Sequence, residues 1–327
     1  MNKNSKIWFI VASLLIVVGA IVCITCILLS GGKFVSKYDT KIYENLGVIN
    51  DIDIDVDTAN IKFVKSSDNT SKVVCYEHKK IKHTVEVVDG KLKINVKDDR
   101  KWYDFIGIGF ESSSITVYLP NIEYGSLCVS SSTGDVFVSN DFKFSSIDID
   151  GSTGDIECLA SCIDDININL STGDILVKDV TATHLSLTVS TGEIEVENAV
   201  IAGNIKIKYS TDDCSLENVT GLNLTINGGT GDVDLENVII SNKMDISLST
   251  GDVNFNKSDA LEIKVKVSTG DVTGNLLSSK IFYAETSTGR KDVPKTTVGG
   301  ICEIISQNDS IMPQTNTILN FSKCLHT

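Results

Sequence analysis

Through most of the chain apolar residues alternate with polar ones, and a short polar turn interrupts the alternation at fixed intervals. The turn reads Thr-Gly-Asp at Thr133-Gly134-Asp135, Thr153-Gly154-Asp155, Thr172-Gly173-Asp174, Thr230-Gly231-Asp232, Thr250-Gly251-Asp252 and Thr269-Gly270-Asp271. Thr191-Gly192-Glu193 and Thr288-Gly289-Arg290 are near copies, and Thr211-Asp212-Asp213 is a degenerate one. The glycine position advances by 19 or 20 residues each time. Counted from it, aliphatic residues recur at −7, −5, −3, +2 and +4, as in Ile166, Ile168, Leu170, Ile175 and Val177, then Leu185, Leu187, Val189, Ile194 and Val196. Period-two alternation predicts strands with one buried face, one before the glycine and one after it. A second turn near +5 to +7 carries Glu197-Asn198, Glu217-Asn218 and Glu236-Asn237, and a further aliphatic at +7 (Val180, Ala199, Val219, Val238) closes the unit. Such a unit cannot bury its apolar face alone, so the period predicts an all-β, single-chain β-solenoid of 19–20-residue coils. About ten coils at the strand spacing of about 4.8 Å give a rod about 45–50 Å long.

Outside the repeat the pattern changes twice. Residues 42–120 alternate without the period, with strands predicted at Ile52–Val56, Ile61–Val64, Lys72–Tyr76, Thr84–Val88, Leu92–Val96 and Ile115–Leu119. They read as an irregular β region that caps the solenoid of residues 121–315, and residues 316–327 as a polar tail. At the carboxyl end Arg290 and Lys291 replace the acidic residue, Pro294 follows, and a last degenerate unit runs from Cys302 to Ile311. At the amino end Lys3 and Lys6 precede an uncharged apolar run, Ile7–Leu29, long enough to span a bilayer as one helix. Residues 1–30 are therefore expected to be a cytoplasmic stub and transmembrane anchor, and 31–41 a linker to an exported domain. A signal peptide would have a shorter apolar core and a small-residue cleavage site.

Composition agrees with strands and turns: 3 Pro, 24 Gly and 6% aromatics in 327 residues. Net charge is −14, and without Lys3 and Lys6 the remainder holds 27 basic and 43 acidic residues. That excess argues against nucleic acid and makes a cationic partner or a divalent metal the more natural one, while the macromolecular partner expected of an exported domain is an envelope protein or a surface ligand. Of nine cysteines, two lie in the apolar run. The other seven share no spacing and read as isolated thiols, although Cys158 and Cys162 are near enough in sequence to pair.

The chain resembles the bacterial putative-adhesin family of β-strand repeat proteins, grouped with toast-rack-like envelope domains of unknown function. The likeness rests on the Asp-Ile-Asp-Val-Asp strand at 53–57, the Ile-Thr-Val-Tyr-Leu-Pro strand ending at Pro120, and the run of Ser-Thr-Gly-Asp coils. It covers about residues 42–315. The resemblance implies a β-solenoid in a bacterial envelope, often behind an amino-terminal helix. It implies adhesion or envelope-stress sensing as the role, and no catalytic residues.

Among candidate sites the acidic column comes first: Asp135, Asp155, Asp174, Glu193, Asp213, Asp232, Asp252 and Asp271 stack along one corner. Charges 4.8 Å apart in water repel by roughly 0.9 kcal/mol per pair. Either each Asp bonds amides of its own turn, or the six Thr-Gly-Asp carboxylates form an edge for weak divalent binding, calcium being the natural ion. The Ser and Thr columns before each glycine predict a hydroxyl ladder between coils. Trp102, Tyr103, Phe105 and Phe110 form an aromatic cluster that either folds over the solenoid's end or contacts a partner or the membrane interface. Cys75, His78 and His83 are interrupted by Lys79 and Lys80 and lack a fourth ligand, so their spacing does not predict a metal site. No nucleophile elbow, phosphate loop, dinucleotide fingerprint or zinc-protease motif occurs. The expected role is non-enzymatic, with a polysaccharide-acting β-helix enzyme as the alternative.

Overall fold

A computed structural model describes residues 38–98, 112–287, 290–307 and 310–315, together with Gly19. It divides into two compact units, residues 1–39 and 40–327, and the architecture below is that of the second. The predicted anchor Ile7–Leu29, apart from Gly19, and the tail 316–327 lie outside the described residues. Among the described residues no helix is long and apolar enough to cross a membrane.

The second unit is an all-β solenoid. Strands that precede each glycine stack in parallel as one sheet, and strands that follow it stack as another. The register is the one the repeat dictates: Ile166, Leu185, Ile205, Leu224, Met244 and Ile263 lie side by side in successive coils. Every aliphatic column named above is buried. An isolated coil would order 19–20 residues at about 1–2 kcal/mol of backbone entropy each. Six aliphatic side chains return roughly 1.5–3 kcal/mol each when fully buried. A lone coil is therefore unstable, and parallel stacking supplies the missing burial and ladder hydrogen bonds.

The second corner has its own chemistry. Asp179, Asn198, Asn218 and Asn237 hold φ between 52° and 57°, a left-handed conformation that Asn and Asp accept most readily. Their side chains bond along the stack, Asn198 Nδ2 donating to Asp179 Oδ1 at 2.8 Å, Asn218 to Asn198 at 3.0 Å and Asn237 to Asn218 at 2.8 Å. Beyond this corner a third short strand appears in several coils, such as Thr181–Ala182 paired with Val200–Ile201, which adds to the two strands expected from the period.

At the amino end nine strands can be followed in order: β1 (Tyr38–Tyr43), β2 (Asp51–Thr58), β3 (Asn60–Lys65), β4 (Lys72–His78), β5 (Ile81–Val88), β6 (Lys91–Asp98), β7 (Ser114–Leu119), β8 (Glu123–Thr133) and β9 (Val136–Val138). β2 and β3 form a complete coil in register with the repeats, Thr58 beside Thr133 and Ile61 beside Val136. Ala59 stands where later coils have glycine, without the positive φ. The chain then leaves the stack and returns 75 residues on. The excursion lays β6 parallel to β2 and β7 parallel to β3, and adds an antiparallel strand to each sheet, β5 on β6 and β4 on β7, with β4 paired in turn to β1. Antiparallel closure ends the parallel stack without leaving β2 or β3 as an open edge.

The carboxyl end departs from sequence order. Gly300–Ser306 pairs with residues 262–267 and Ile311–Thr315 with Val272–Leu276, while the earlier strand Lys280–Thr286 lies on the far side of Gly300–Ser306. The degenerate unit from Cys302 to Ile311 is thus inserted ahead of the strand that precedes it in the chain. Its inward residues Cys302, Ile304 and Ile311 are buried. Phe282 and Ala284, which hold the matching inward places on the outermost strand, are only partly buried against the core. The six described cysteines outside the apolar run are free thiols, Cys158 and Cys162 included.

Asp51 fixes the first coil to the second. Its Oδ1 accepts from Ser126 N at 2.7 Å and Ser126 Oγ at 2.9 Å, and these two donors hold its carboxyl below the ordinary carboxylate range. A depressed folded pKa gives stability that is full above the ordinary carboxylate value and lost as pH falls through the folded one. Asp51→Ala is expected to lower unfolding stability by about 1–2 kcal/mol near neutrality. The difference from wild type should shrink as chemical denaturation is repeated below pH 4.

Candidate functional site

The Thr-Gly-Asp corner is where backbone geometry and charge meet. Gly134, Gly154, Gly173, Gly192, Gly231, Gly251 and Gly270 hold φ between 123° and 141°. A Cβ at any of them would lie 1.9–2.3 Å from a carbonyl oxygen of the preceding coil. Glycine is thus demanded twice, by its dihedral and by the contact between coils. Around this corner successive amides point alternately forward and backward along the stack. Gly154 N donates forward to Thr172 O and Ile156 N to Asp174 O. The amide of the acidic residue between them points backward and donates to a side chain: Asp155 N to Asp135 Oδ1 at 3.0 Å, Asp174 N to Asp155 Oδ1 at 3.0 Å and Glu193 N to Asp174 Oδ1 at 2.8 Å.

The relay continues with Asp232 N on Asp213 Oδ1 at 2.7 Å, Asp252 N on Asp232 at 2.7 Å and Asp271 N on Asp252 at 2.8 Å. It begins at Asn60, whose Oδ1 accepts from Asp135 N at 3.1 Å, and ends with Ser310 N on Asp271 Oδ1 at 2.6 Å. Each Asp carboxylate of the column therefore serves the next coil, which corrects the reading in which it bonds its own turn. The arrangement also offsets part of the like-charge cost, because every Asp carboxylate of the column accepts an amide proton.

One step departs from the pattern. Asp213 N bonds Asp212 Oδ1 at 3.1 Å, its immediate neighbour. Here the preceding residue is Glu193, one methylene longer than Asp, and Asp212 replaces the glycine at φ 89°. Burial and the surrounding charges of Asp174, Asp212 and Asp213 push the Glu193 carboxyl above its ordinary range. Beside it, Thr211 Oγ1 meets Thr191 Oγ1 at 3.3 Å, a hydroxyl contact of the kind expected for the Thr column.

The structure thus brings Asp135, Asp155, Asp174, Asp232, Asp252 and Asp271 onto one corner, as the period requires. Trp102, Tyr103, Phe105 and Phe110 lie outside the described residues. His78 sits on the surface with Nδ1 accepting from Lys80 N at 3.1 Å. Cys75 and His83 point instead into the core, and Glu77, which the spacing gave no reason to select, is buried with them. Two surface depressions accompany these features. One of about 760 Å³ lies near Leu46, Val48, Pro120 and Tyr124, and one of about 400 Å³ near Leu261, Lys280 and Val298. In the second, the buried Lys280 ammonium contacts Asp259 Oδ1 at 2.5 Å and Ser278 Oγ at 2.7 Å.

The Toastrack DUF4097 family model matches residues 49–210 and 190–279, together more than half of the chain. The chain belongs to the Toastrack DUF4097 family. The match takes in the coil at β2–β3 and most of the glycine corners. No curated protein matches this Toastrack chain. Among solved structures it is similar to a putative adhesin from Bacteroides fragilis NCTC 9343, at 15% identity and TM-score 0.42, over 86% of this chain and 98% of the other. It is also similar to a putative adhesin from Parabacteroides merdae ATCC 43184, at 10% identity and TM-score 0.46, over 85% and 96%. A third, a putative lipid binding protein from Parabacteroides distasonis ATCC 8503, shares 18% identity at TM-score 0.44, over 73% and 94%.

Two substitutions separate the hydrogen-bonding role of the Toastrack corner from a charge role. Asp232→Asn keeps an acceptor for Asp252 N and should leave the thermal midpoint nearly unchanged, whereas Asp232→Ala should cost about 1 kcal/mol. A second pair repairs the irregular step. Glu193→Asp combined with Asp212→Gly should raise stability by about 1–2 kcal/mol in urea unfolding, by relieving the left-handed Asp and completing the relay.

Proposed function

We propose that the chain is a membrane-anchored, extracytoplasmic binding scaffold of the bacterial envelope, acting in adhesion rather than in catalysis. The observation that carries this reading is the uniformity of the coils. Short corners and in-register strands present the same kinds of polar side chain at each step, a periodic surface suited to many weak contacts with an extended or repetitive ligand. The apolar run Ile7–Leu29, behind Lys3 and Lys6, supplies the anchor in this reading, with the amino terminus in the cytoplasm. The depression near Lys280 favours a structural account of its polar groups. An ammonium already bonded to Asp259 and Ser278 does not serve Ser278 as a base.

The test joins topology to adhesion. In intact cells a membrane-impermeant amine reagent should label exposed lysines such as Lys206, Lys208 and Lys266, and the chain should stay with membranes through high-salt washing. Cells carrying the anchor without residues 42–315 should attach to surfaces several-fold less than cells carrying the whole chain. Labelling only after lysis, or attachment unchanged by the deletion, contradicts the proposal.

A further inference from the structure

The amino-terminal end holds a buried group of unlike donors that the solenoid's repeat does not require. Cys75 and Glu77 are two apart on β4 and so share its inward face, while His83 points inward from β5. β4 belongs to one sheet and β5 to the other. The three side chains therefore meet across the core, each nearly or wholly buried, with one donor atom from each within 4.8 Å of the others. His83 N donates to Glu77 Oε2 at 2.6 Å, and His83 Nδ1 lies 3.0 Å from the same oxygen. Tyr43 Oη donates to His83 O at 2.5 Å, which fixes the backbone of the histidine from the outside. His83 Nε2 is left buried without a hydrogen-bond partner.

An apolar core gains nothing from three such groups. Burying an ionisable carboxylate and an imidazole nitrogen without a partner costs free energy, and aliphatic residues fill the equivalent inward places in the coils. Sulfur, nitrogen and oxygen donors together are the ligand set of zinc and its neighbours, whose bonds of about 2.0–2.3 Å place tetrahedral ligands roughly 3.3–3.8 Å apart. The existing spacing reaches that range through side-chain movements of about 1 Å. We propose that Cys75, Glu77 and His83 form a binding site for a thiophilic divalent metal of the zinc class, with a solvent molecule as the fourth ligand. On binding, the Cys75 thiol gives its proton to solvent and the thiolate bonds the metal. The ion ties β4 to β5 and so joins the two sheets where the solenoid stops. Lys41, an exposed side chain whose ammonium lies over the Tyr43 ring at 4.4 Å, is a nearby cation on the outer side of the group.

The site is distinct in chemistry from the acidic corner, which offers oxygen alone. Cobalt(II) titrated into the purified full-length chain should bind at one equivalent, with a near-ultraviolet sulfur-to-cobalt charge-transfer band and the intense visible bands of a tetrahedral ion. Zinc(II) should displace it and raise the thermal midpoint. Cys75→Ala should abolish the charge-transfer band, and Cys302→Ala should leave it intact. X-ray absorption of the zinc-loaded wild-type chain, which needs no variant to fold, should show one sulfur among nitrogen and oxygen neighbours. A metal shell without sulfur, no charge-transfer band in the folded chain, or a band that survives Cys75→Ala overturns the proposal.

Discussion

The structure depends on how closely the backbone of one coil approaches that of the next at the glycine corner. A methyl group there would fall about 2 Å from a carbonyl oxygen, far inside van der Waals contact. The position must therefore be free of a side chain, and its positive φ turns the chain from one sheet into the other. Once the corner is set, the register of both strands follows, and with it the inward direction of every aliphatic column. The Asp carboxylate completes the corner by accepting the amide that points back along the stack. Its charge is a consequence of that task, since Asn60 performs it at the start of the series without one.

Regularity and irregularity have separate uses in this account. The coils are cooperative neighbours whose contacts are almost all with the coils on either side, so stability propagates along the stack. The two ends break the pattern, because a parallel stack that simply stopped would expose pairing edges. At the amino end an excursion of the chain supplies antiparallel strands, and with them the buried Cys75, Glu77 and His83. At the carboxyl end a late unit is inserted ahead of an earlier strand.

Much of this was legible in the sequence. The 19–20-residue step in the glycine position predicts coil length, corner position and core columns, and those columns are buried as expected. The first coil was hidden because Ala59 takes the glycine place and the next corner lies 75 residues later. The inverted order at the carboxyl end could not be read because both candidate strands, Lys280–Thr286 and Gly300–Ser306, offer comparable inward residues to the coil before them. The target of each Asp was also out of reach: a turn Asp finds acceptable amides in its own turn or in the next coil, and only the stacking geometry selects. Glu77 escaped notice because the strand predicted from Lys72 ends at Tyr76, so Glu77 reads as the first residue of a polar turn rather than as an inward position two places from Cys75. Its burial follows from β4 running on to His78 in one sheet with β5 folded across to the other.

The central claim is that the corner is held by a relay of amides bonded to the preceding coil's carboxylates. Residue-resolved hydrogen exchange tests it most directly. The amides of Asp155, Asp174, Asp232, Asp252 and Asp271 belong to partly or wholly exposed residues, yet the account predicts that they exchange as slowly as the strand amides beside them. Asp213, which bonds within its own turn, should exchange faster. Rapid exchange at all the corner amides, with the strands still protected, would contradict the account.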